Sequence, residues 1–267
     1  MPWIRNPETA MNNAPVILSA KDVSVVFGSK QVTFDVSFDI HAGEFFALVG
    51  ESGSGKSVTS MGLIGLLPRP SAKVISGSAM FNGKDLLQLS LPELRKIRGK
   101  KISMIFQEPM QALDPVRTIQ SQLLEAIPEI PKKEALEKIR EFLKSAGFAD
   151  PERVMKGYPC EMSGGMLQRV CIVMALLPHP DLIIADEPTT ALDVTVQAAV
   201  LAVLKRMAKD SRTAVLLITH NMGLVAQYTE RVAVMYQGRI VETGTSRDII
   251  LHPKDAYTQR LIAAIPR

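Results

Sequence analysis

The sequence predicts an α/β fold in which helices cover a parallel sheet, and three observations carry the prediction. Four short runs, FFALVG (Phe45–Gly50), ISMIF (Ile102–Phe106), LIIAD (Leu182–Asp186) and AVLLIT (Ala214–Thr219), are almost continuously apolar. Strands buried on both faces of a parallel sheet read this way. The first run passes directly into the glycine-rich stretch GESGSGKS, which opens a further apolar segment, a strand–loop–helix sequence. Helical periodicity then recurs between the strands, at Lys132–Ala146 and Val194–Ala208.

Taken in order, residues 1–15 (MPWIRNPETAMNNAP) form a loose tail with no apolar core of a signal peptide. From Val16 the pattern becomes strand-like. In VTFDVSFDI, Val32, Phe34, Val36, Phe38 and Ile40 alternate with polar residues, so one strand face is expected to be buried. His41-Ala42-Gly43 is a turn before the first apolar strand. The helix after the glycine-rich loop is weakened at Gly62 and Gly65 and ends before Pro68. Residues 108–178 read as a helical insertion. Within it Ala135, Leu136, Ile139, Phe142, Leu143 and Ala146 share one helical stripe, with Pro131 in the first turn and Gly147 as the stop. Asp193 is a candidate N-cap for Val194–Ala208. VAVMYQGRIVETG (Val232–Gly244) is a hairpin turning at Gln237-Gly238.

Composition narrows the function. The chain has 267 residues, 46% hydrophobic and 22% charged, ordinary for a globular protein of one or two domains. Its 31 basic and 27 acidic residues leave a net charge of +4, too small to argue for nucleic acid. The basic run RKIRGKK (Arg95–Lys101) is short and mixed, and reads as a solvated surface. Cys160 and Cys171 have neither CxxC nor zinc spacing and are expected to be inert thiols. No apolar run reaches the length of a membrane span. The 13 methionines read as core filler.

Gly50-Glu51-Ser52-Gly53-Ser54-Gly55-Lys56-Ser57 matches GxxxxGK[ST]. The glycines let main-chain N–H groups curl around a polyphosphate, continuing through Val58 at the helix start. Lys56 brings positive charge to the terminal phosphates, and the Ser57 hydroxyl is a hard oxygen suited to Mg²⁺. Phosphoryl transfer also needs a metal carboxylate and a group that positions water. LIIADEP offers Asp186 for the first and Glu187 for the second, although two acids after a strand can also cap a turn. EMSGGMLQRV (Glu161–Val170) is a second helix start of anion-binding type, with Ser163 as N-cap ahead of Gly164 and Gly165.

These motifs, with Gln107 in MIFQEP, the ALD of Ala191–Asp193 and His220 in LLITHN, occur in one order. The set resembles the ATP-binding subunit of ABC transporters over residues 17–267. The resemblance implies a P-loop NTPase (RecA-like) core at 16–107 and 179–244, with an antiparallel β subdomain. It also implies an inserted helical subdomain at 108–178 and a C-terminal extension at 245–267. By the same resemblance Phe27 stacks on adenine, a position that alternation alone equally reads as an inward-facing strand residue. Gln107 senses Mg²⁺ and water, His220 contacts the γ-phosphate, and Asp193 crosses to a partner. Two such subunits pack head to tail, so that Ser163 and the Gly165 N–H complete the partner's nucleotide pocket. Where the family has LSGGQ this chain has Met162-Ser163-Gly164-Gly165-Met166, and Met166 cannot make the polar contacts of Gln.

GESGSGKS, MIFQEPM, SGGMLQR, ADEPTTALDVTVQ and HPKDAYTQRLIAAIPR together resemble the importers of oligopeptides, dipeptides and nickel. EMSGGMLQR and the short end, without the cysteines of an iron–sulfur tail, place the chain nearer the nickel-type members; oligopeptide or dipeptide cargo is the alternative. Lys254 and Asp255 intrude into the HPYT pattern of the family. The resemblance implies ATP and Mg²⁺ as ligands. The implied partners are a related ATPase subunit, as heterodimer or homodimer, two transmembrane permease subunits and, indirectly, a substrate-binding protein, with no nucleic acid. It implies a peripheral position on the cytoplasmic face of the cell membrane. A soluble ABC ATPase acting on DNA or ribosomes, or a switch that hydrolyses little, are the rival readings.

Overall fold

The structure is a computed structural model, described here for residues 14–190 and 192–264. Most of the expected 1–15 tail, Ala191 and the last three residues lie outside the described residues. The chain groups into two compact units, one made of residues up to Arg98 together with Ala214 onward, the other of Gly99–Thr213.

The first unit begins with β1 (Val16–Phe27) and β2 (Lys30–His41), an antiparallel pair, followed by β3 (Phe45–Val49). All five β3 residues are buried, as its unbroken apolar sequence requires. The loop GESGSGK leads into α1 (Lys56–Leu63), which stops where Gly65 takes a left-handed φ of 66°. β4 (Ala72–Phe81) pairs with β1, and β5 (Lys84–Asp85) pairs with β4. α2 (Leu91–Ile97) opens on a capping box in which Glu93 accepts from the Ser90 N–H at 2.9 Å.

The alternation expected for β2 holds only in its second half. Val36, Phe38 and Ile40 are buried, but Val32 and Phe34 are only half-buried, and Thr33 is the fully buried residue between them. Asp35 adopts φ 50° and the register slips there: Val23 faces Val36, while Val25 faces Thr33. One extra residue on β2 therefore reverses its faces. The Thr33 hydroxyl accepts the Val25 N–H at 2.9 Å, which satisfies a polar group that alternation had placed outside.

The second unit starts with β6 (Ile102–Ile105) and a run of helices: α3 (Pro109–Ala112), α4 (Ile119–Glu125), α5 (Lys132–Ser145), α6 (Pro151–Lys156) and α7 (Gly164–Leu176). β7 (Leu182–Asp186) and α8 (Val194–Asp210) complete it. The α5 stripe is buried at Ala135, Ile139, Leu143 and Ala146, and Gly147 ends the helix at φ 85°. Pro131 stands one position earlier than expected, as the N-cap. Cys171 on α7 is buried and Cys160 is exposed. Burial pushes the Cys171 thiol up to about 12.

The chain then returns to the first unit with β8 (Ala214–Thr219), α9 (Met222–Tyr228), β9 (Arg231–Tyr236), β10 (Arg239–Thr245), α10 (Ser246–Leu251) and α11 (Ala256–Ala263). β8 and β9 both run parallel to β3, one on either side. The β9–β10 hairpin turns where expected, with Gln237 at φ 46° and Gly238 at φ 80°. Two successive positive φ angles make the turn whose twist matches its strands. A core of Ala47, Val49, Val225, Val232, Val234, Ile249 and Tyr257 packs β3 and β9 against α9, α10 and α11.

Candidate functional site

Each unit carries a cluster of the sequence-predicted residues at the C-terminal ends of parallel strands. In the first unit this edge is set by the pairing of Val49 with Thr219, so that Gly50 and His220 each follow a neighbouring strand end. Ligands of open α/β sheets bind at this edge. His220 is exposed and precedes Asn221, the N-cap of α9.

The glycine-rich loop is shaped by its backbone. Gly50 has φ 154°, and a Cβ there would collide with the Met235 carbonyl oxygen. Gly55, with φ 106°, is the N-cap of α1, and a Cβ would stand 2.9 Å from both Met235 Cε and Thr33 Cγ2. Between them the Ser54 N–H donates to the Glu51 carbonyl at 3.2 Å, and the Gly238 N–H donates to the Ser54 carbonyl at 3.0 Å. The β9–β10 turn therefore clamps the loop from outside. Lys56 is 4% exposed and its Nζ donates to the Gly50 and Glu51 carbonyls, both at 2.8 Å.

This loop fits a polyphosphate. The Ser54 hydroxyl is buried with no hydrogen-bond partner among the described residues, a group that a ligand oxygen would satisfy. The N–H groups of Lys56, Ser57 and Val58 belong to the first turn of α1, where a helix has no internal acceptors to offer. Gly53 borders open space. Phe27, half-buried at the end of β1, packs on the Val25–Leu67–Ala72 cluster, and so does Val58. These contacts make Phe27 partly a core residue, with the rest of its ring exposed.

In the second unit Ile105 pairs with Ala185, so Gln107 and the Asp186-Glu187 pair follow adjacent parallel strands. Gln107 is exposed; Asp186 is 9% exposed. Glu187 adopts φ 43°, a left-handed conformation that costs a non-glycine residue on the order of 1 kcal/mol or more. The Thr190 hydroxyl donates to its carboxylate at 2.8 Å and fixes that side chain. Asp193 caps α8, accepting the Val196 N–H at 3.1 Å.

Ser163 caps α7 with an oxygen that accepts from the Met166 N–H at 3.4 Å, and its own proton remains for another acceptor. Gly164 is exposed and Gly165 buried. A Cβ on Gly165 would stand 2.6 Å from Val196 Cγ1 and one on Gly164 3.1 Å from Leu192 Cδ2. These glycines therefore also serve the close approach of α7 to α8 and the turn before it. Met162 and Met166 line a surface cavity with Phe148, Arg153 and Val154.

Phe27, the loop and His220 belong to one unit; Gln107, Ser163–Gly165, Asp186, Glu187 and Asp193 belong to the other. Ser57, Gln107 and Asp186 offer hydroxyl, amide and carboxylate oxygens, the hard donors Mg²⁺ prefers. Among the described residues no group of three or more His, Cys, Asp or Glu forms a metal cage. Sequence reasoning missed two residues. Gln197 on α8 donates to the Thr189 and Leu192 carbonyls, both at 3.0 Å, and so braces the segment after Glu187. Tyr257 on α11 reaches the glycine-rich loop. The signal for Gln197 was a long polar side chain in the first turns of α8, ahead of the apolar run Ala198–Leu204.

The comparisons agree with this architecture. The family described as ABC transporter matches residues 33–190. The dipeptide transport ATP-binding protein DppD of Bacillus subtilis is 49% identical over 94% of this chain and 77% of its own length. The oligopeptide transport ATP-binding protein OppD of Escherichia coli is 44% identical, over 97% of this chain and 78% of its own length. Among solved structures, the ATP-binding cassette MJ0796 in a dimeric post-hydrolysis state bound to ADP and Pi superposes with a TM-score of 0.75 at 28% identity. It covers 86% of this chain and 99% of that one. A glycine-shaped loop with a buried lysine, strand-end acids and a serine-capped helix, together with this similarity, place the chain in the ABC transporter family.

Proposed function

We propose that this chain is the ATP-hydrolysing subunit of an ABC importer of peptides, peripheral to the cytoplasmic face of the cell membrane. The observation that carries the reading is the loop Gly50–Ser57: a backbone cradle with a buried lysine and an unsatisfied Ser54 hydroxyl. The relatives DppD and OppD are named for dipeptide and oligopeptide transport, and this favours the peptide alternative over the nickel-type lean of the sequence.

In this reading Phe27 stacks on the adenine, and the loop from Gly50 to Val58 wraps the phosphates, with the N–H groups of Gly53, Gly55, Lys56, Ser57 and Val58 turned to them while the Glu51 N–H stays on Tyr257. Lys56, anchored on the Gly50 and Glu51 carbonyls, directs its charge at the terminal phosphates. Mg²⁺, held by Ser57, Asp186 and Gln107 with the phosphates, would neutralise charge on the β- and γ-oxygens. Glu187 takes a proton from the attacking water as its oxygen bonds to phosphorus and the bond to the ADP oxygen breaks. His220 donates to the γ-phosphate. Ser163, Gly164 and Gly165 close on the triphosphate held by a related ATPase subunit, and Asp193 contacts that partner. ATP then binds the closed dimer better than the open one, and that difference in affinity drives the cycle. Two permease subunits and, through them, a binding protein complete the assembly. Among the described residues no helix is long and apolar enough to cross a membrane.

The test is reconstitution with the permeases and binding protein. ATP hydrolysis stimulated by di- or oligopeptides, and lost in Lys56→Ala, is expected. Stimulation by nickel and not by peptides would return the nickel reading, and none by either would remove the importer assignment.

A further inference from the structure

α11 is built to hold one side chain still. Glu242 on β10 accepts the Lys254 and Asp255 N–H groups at 2.9 and 3.1 Å, and Asp255 caps the helix by accepting from Tyr257 N at 2.8 Å. Lys254 and Asp255, the residues that depart from the family pattern, thus form the hook and the cap. The Tyr257 ring is 4% exposed and stacks on Tyr236 with centroids 4.2 Å apart and planes 26° apart. It packs in the cluster that holds Ala47 and Val49, so it rests on the strand that leads into Gly50.

The hydroxyl of this fixed ring accepts the Glu51 N–H at 2.9 Å. That N–H belongs to the same peptide plane as the Gly50 carbonyl, which accepts from Lys56 Nζ at 2.8 Å. On the side of Gly50 itself the loop runs close against β9, where a Cβ would collide with the Met235 carbonyl oxygen. Burial keeps the Tyr257 phenol above its usual range and therefore neutral, with its oxygen free to accept. The bond spans 206 residues of sequence and joins the C-terminal extension to the site.

We infer that Tyr257 is a positioning residue for the phosphate loop: by accepting the Glu51 N–H it fixes the peptide plane that holds Lys56 in register for phosphate. This rests on the reading of the loop as an ATP site. Without the hydroxyl, the plane can rotate and the cradle must be ordered by the nucleotide itself, which weakens binding without touching the chemical step.

The decisive variant is Tyr257→Phe in the full chain, since it keeps the ring and its stack. ATP affinity is read by equilibrium titration with a fluorescent ATP analogue, and KM and kcat by phosphate release. A neutral hydrogen bond of ordinary strength gives a rise of about 2- to 12-fold in Kd and KM, with kcat unchanged and the thermal midpoint lowered by a few degrees at most. Tyr236→Phe, which keeps the stack and the Tyr257 hydroxyl, leaves Kd unchanged. Hydrogen exchange at the Glu51 amide is protected in the wild type and accelerated in Tyr257→Phe. An unaltered Kd in Tyr257→Phe, with binding lost in Lys56→Ala, overturns the inference and leaves the ATP site standing. Normal binding in Lys56→Ala as well sinks the site reading itself. A raised Kd that is matched in Tyr236→Phe, where the Tyr257 hydroxyl is intact, assigns the effect to ring packing and also overturns it. Should Tyr257→Phe fold poorly, the wild-type Glu51 amide decides alone: exchange at the rate of an open loop refutes the bond.

Discussion

Gly165→Ala separates two jobs that one glycine performs. Gly165 lies in the first turn of α7, and an added methyl would stand 2.6 Å from Val196 Cγ1 on α8. Carbon pairs settle near 3.5–4.0 Å, so the contact is about 1 Å too short. Val196 has one strongly preferred rotamer in a helix and cannot turn away cheaply. Overpacking of this kind costs about 1–3 kcal/mol, while replacing a helical glycine by alanine returns about 1 kcal/mol. The expected net loss is therefore about 0–2 kcal/mol. Truncating the neighbour relieves the clash, so a cycle of Gly165→Ala, Val196→Ala and the double variant should give a coupling of about 1–3 kcal/mol in urea unfolding. ATPase activity measured on the same four proteins then tests the second job. If the methyl also obstructs a nucleotide, activity stays low in the double variant although stability is recovered. A coupling near zero would refute the packing argument, and full recovery of activity would refute a role for Gly165 at the phosphate.

Glu187→Gln should slow ATP turnover by about 10²–10⁴-fold while nucleotide still binds, read by phosphate release and titration; near-normal turnover removes Glu187 as the base. Lys56→Ala deletes a buried ammonium with two carbonyl partners, and ATP affinity should fall by about 10-fold or more, given the strength of charged hydrogen bonds. In the native protein at pH 8 a thiol reagent should label Cys160 and spare Cys171, with both labelled after denaturation, as mass spectrometry would show. Because the folded Cys171 thiol is raised from 9.0 to about 12, the stability it lends is complete below pH 9 and lost as pH climbs towards 12. The stability difference between wild type and Cys171→Ala should shift by about 2 kcal/mol against the wild type between pH 8 and pH 10.5. Glu242 is buried enough to disfavour its charge, but the Lys254 and Asp255 N–H groups hold its carboxyl below the usual range. Its contribution is present above the ordinary carboxylate range and disappears as pH falls through the lowered value, so proteolysis at α11 should increase on acidification.

Where one physical signal dominates, the sequence was enough. The apolar runs that became β3, β6, β7 and β8 have no competing reading at that length, and Gln237-Gly238 offers the two positive φ angles a two-residue turn needs. β2 was legible only in part. Alternation assumes an unbroken register, and nothing in VTFDVSFDI announces that Asp35 will turn left-handed and exchange the faces of Val32 and Thr33. Motif spacing named Lys56, Ser163 and Asp193, because their local roles at helix starts depend on neighbours in sequence. Tyr257 was hidden for the opposite reason: its bond to Glu51 depends on how β10 and α11 bring a distant residue back to the loop. The double duty of Gly165 was equally invisible, since it depends on the path of α8.

The account stands most directly on a structure of the assembled ATPase pair carrying Glu187→Gln and trapped with ATP. It predicts that the triphosphate rests on Lys56 and the α1 N-terminus of one subunit, with a serine-capped helix start like Ser163–Gly165 within hydrogen-bond reach across the interface. Nucleotide bound away from Lys56, or residues 163–165 turned to bulk water in every copy, would contradict it.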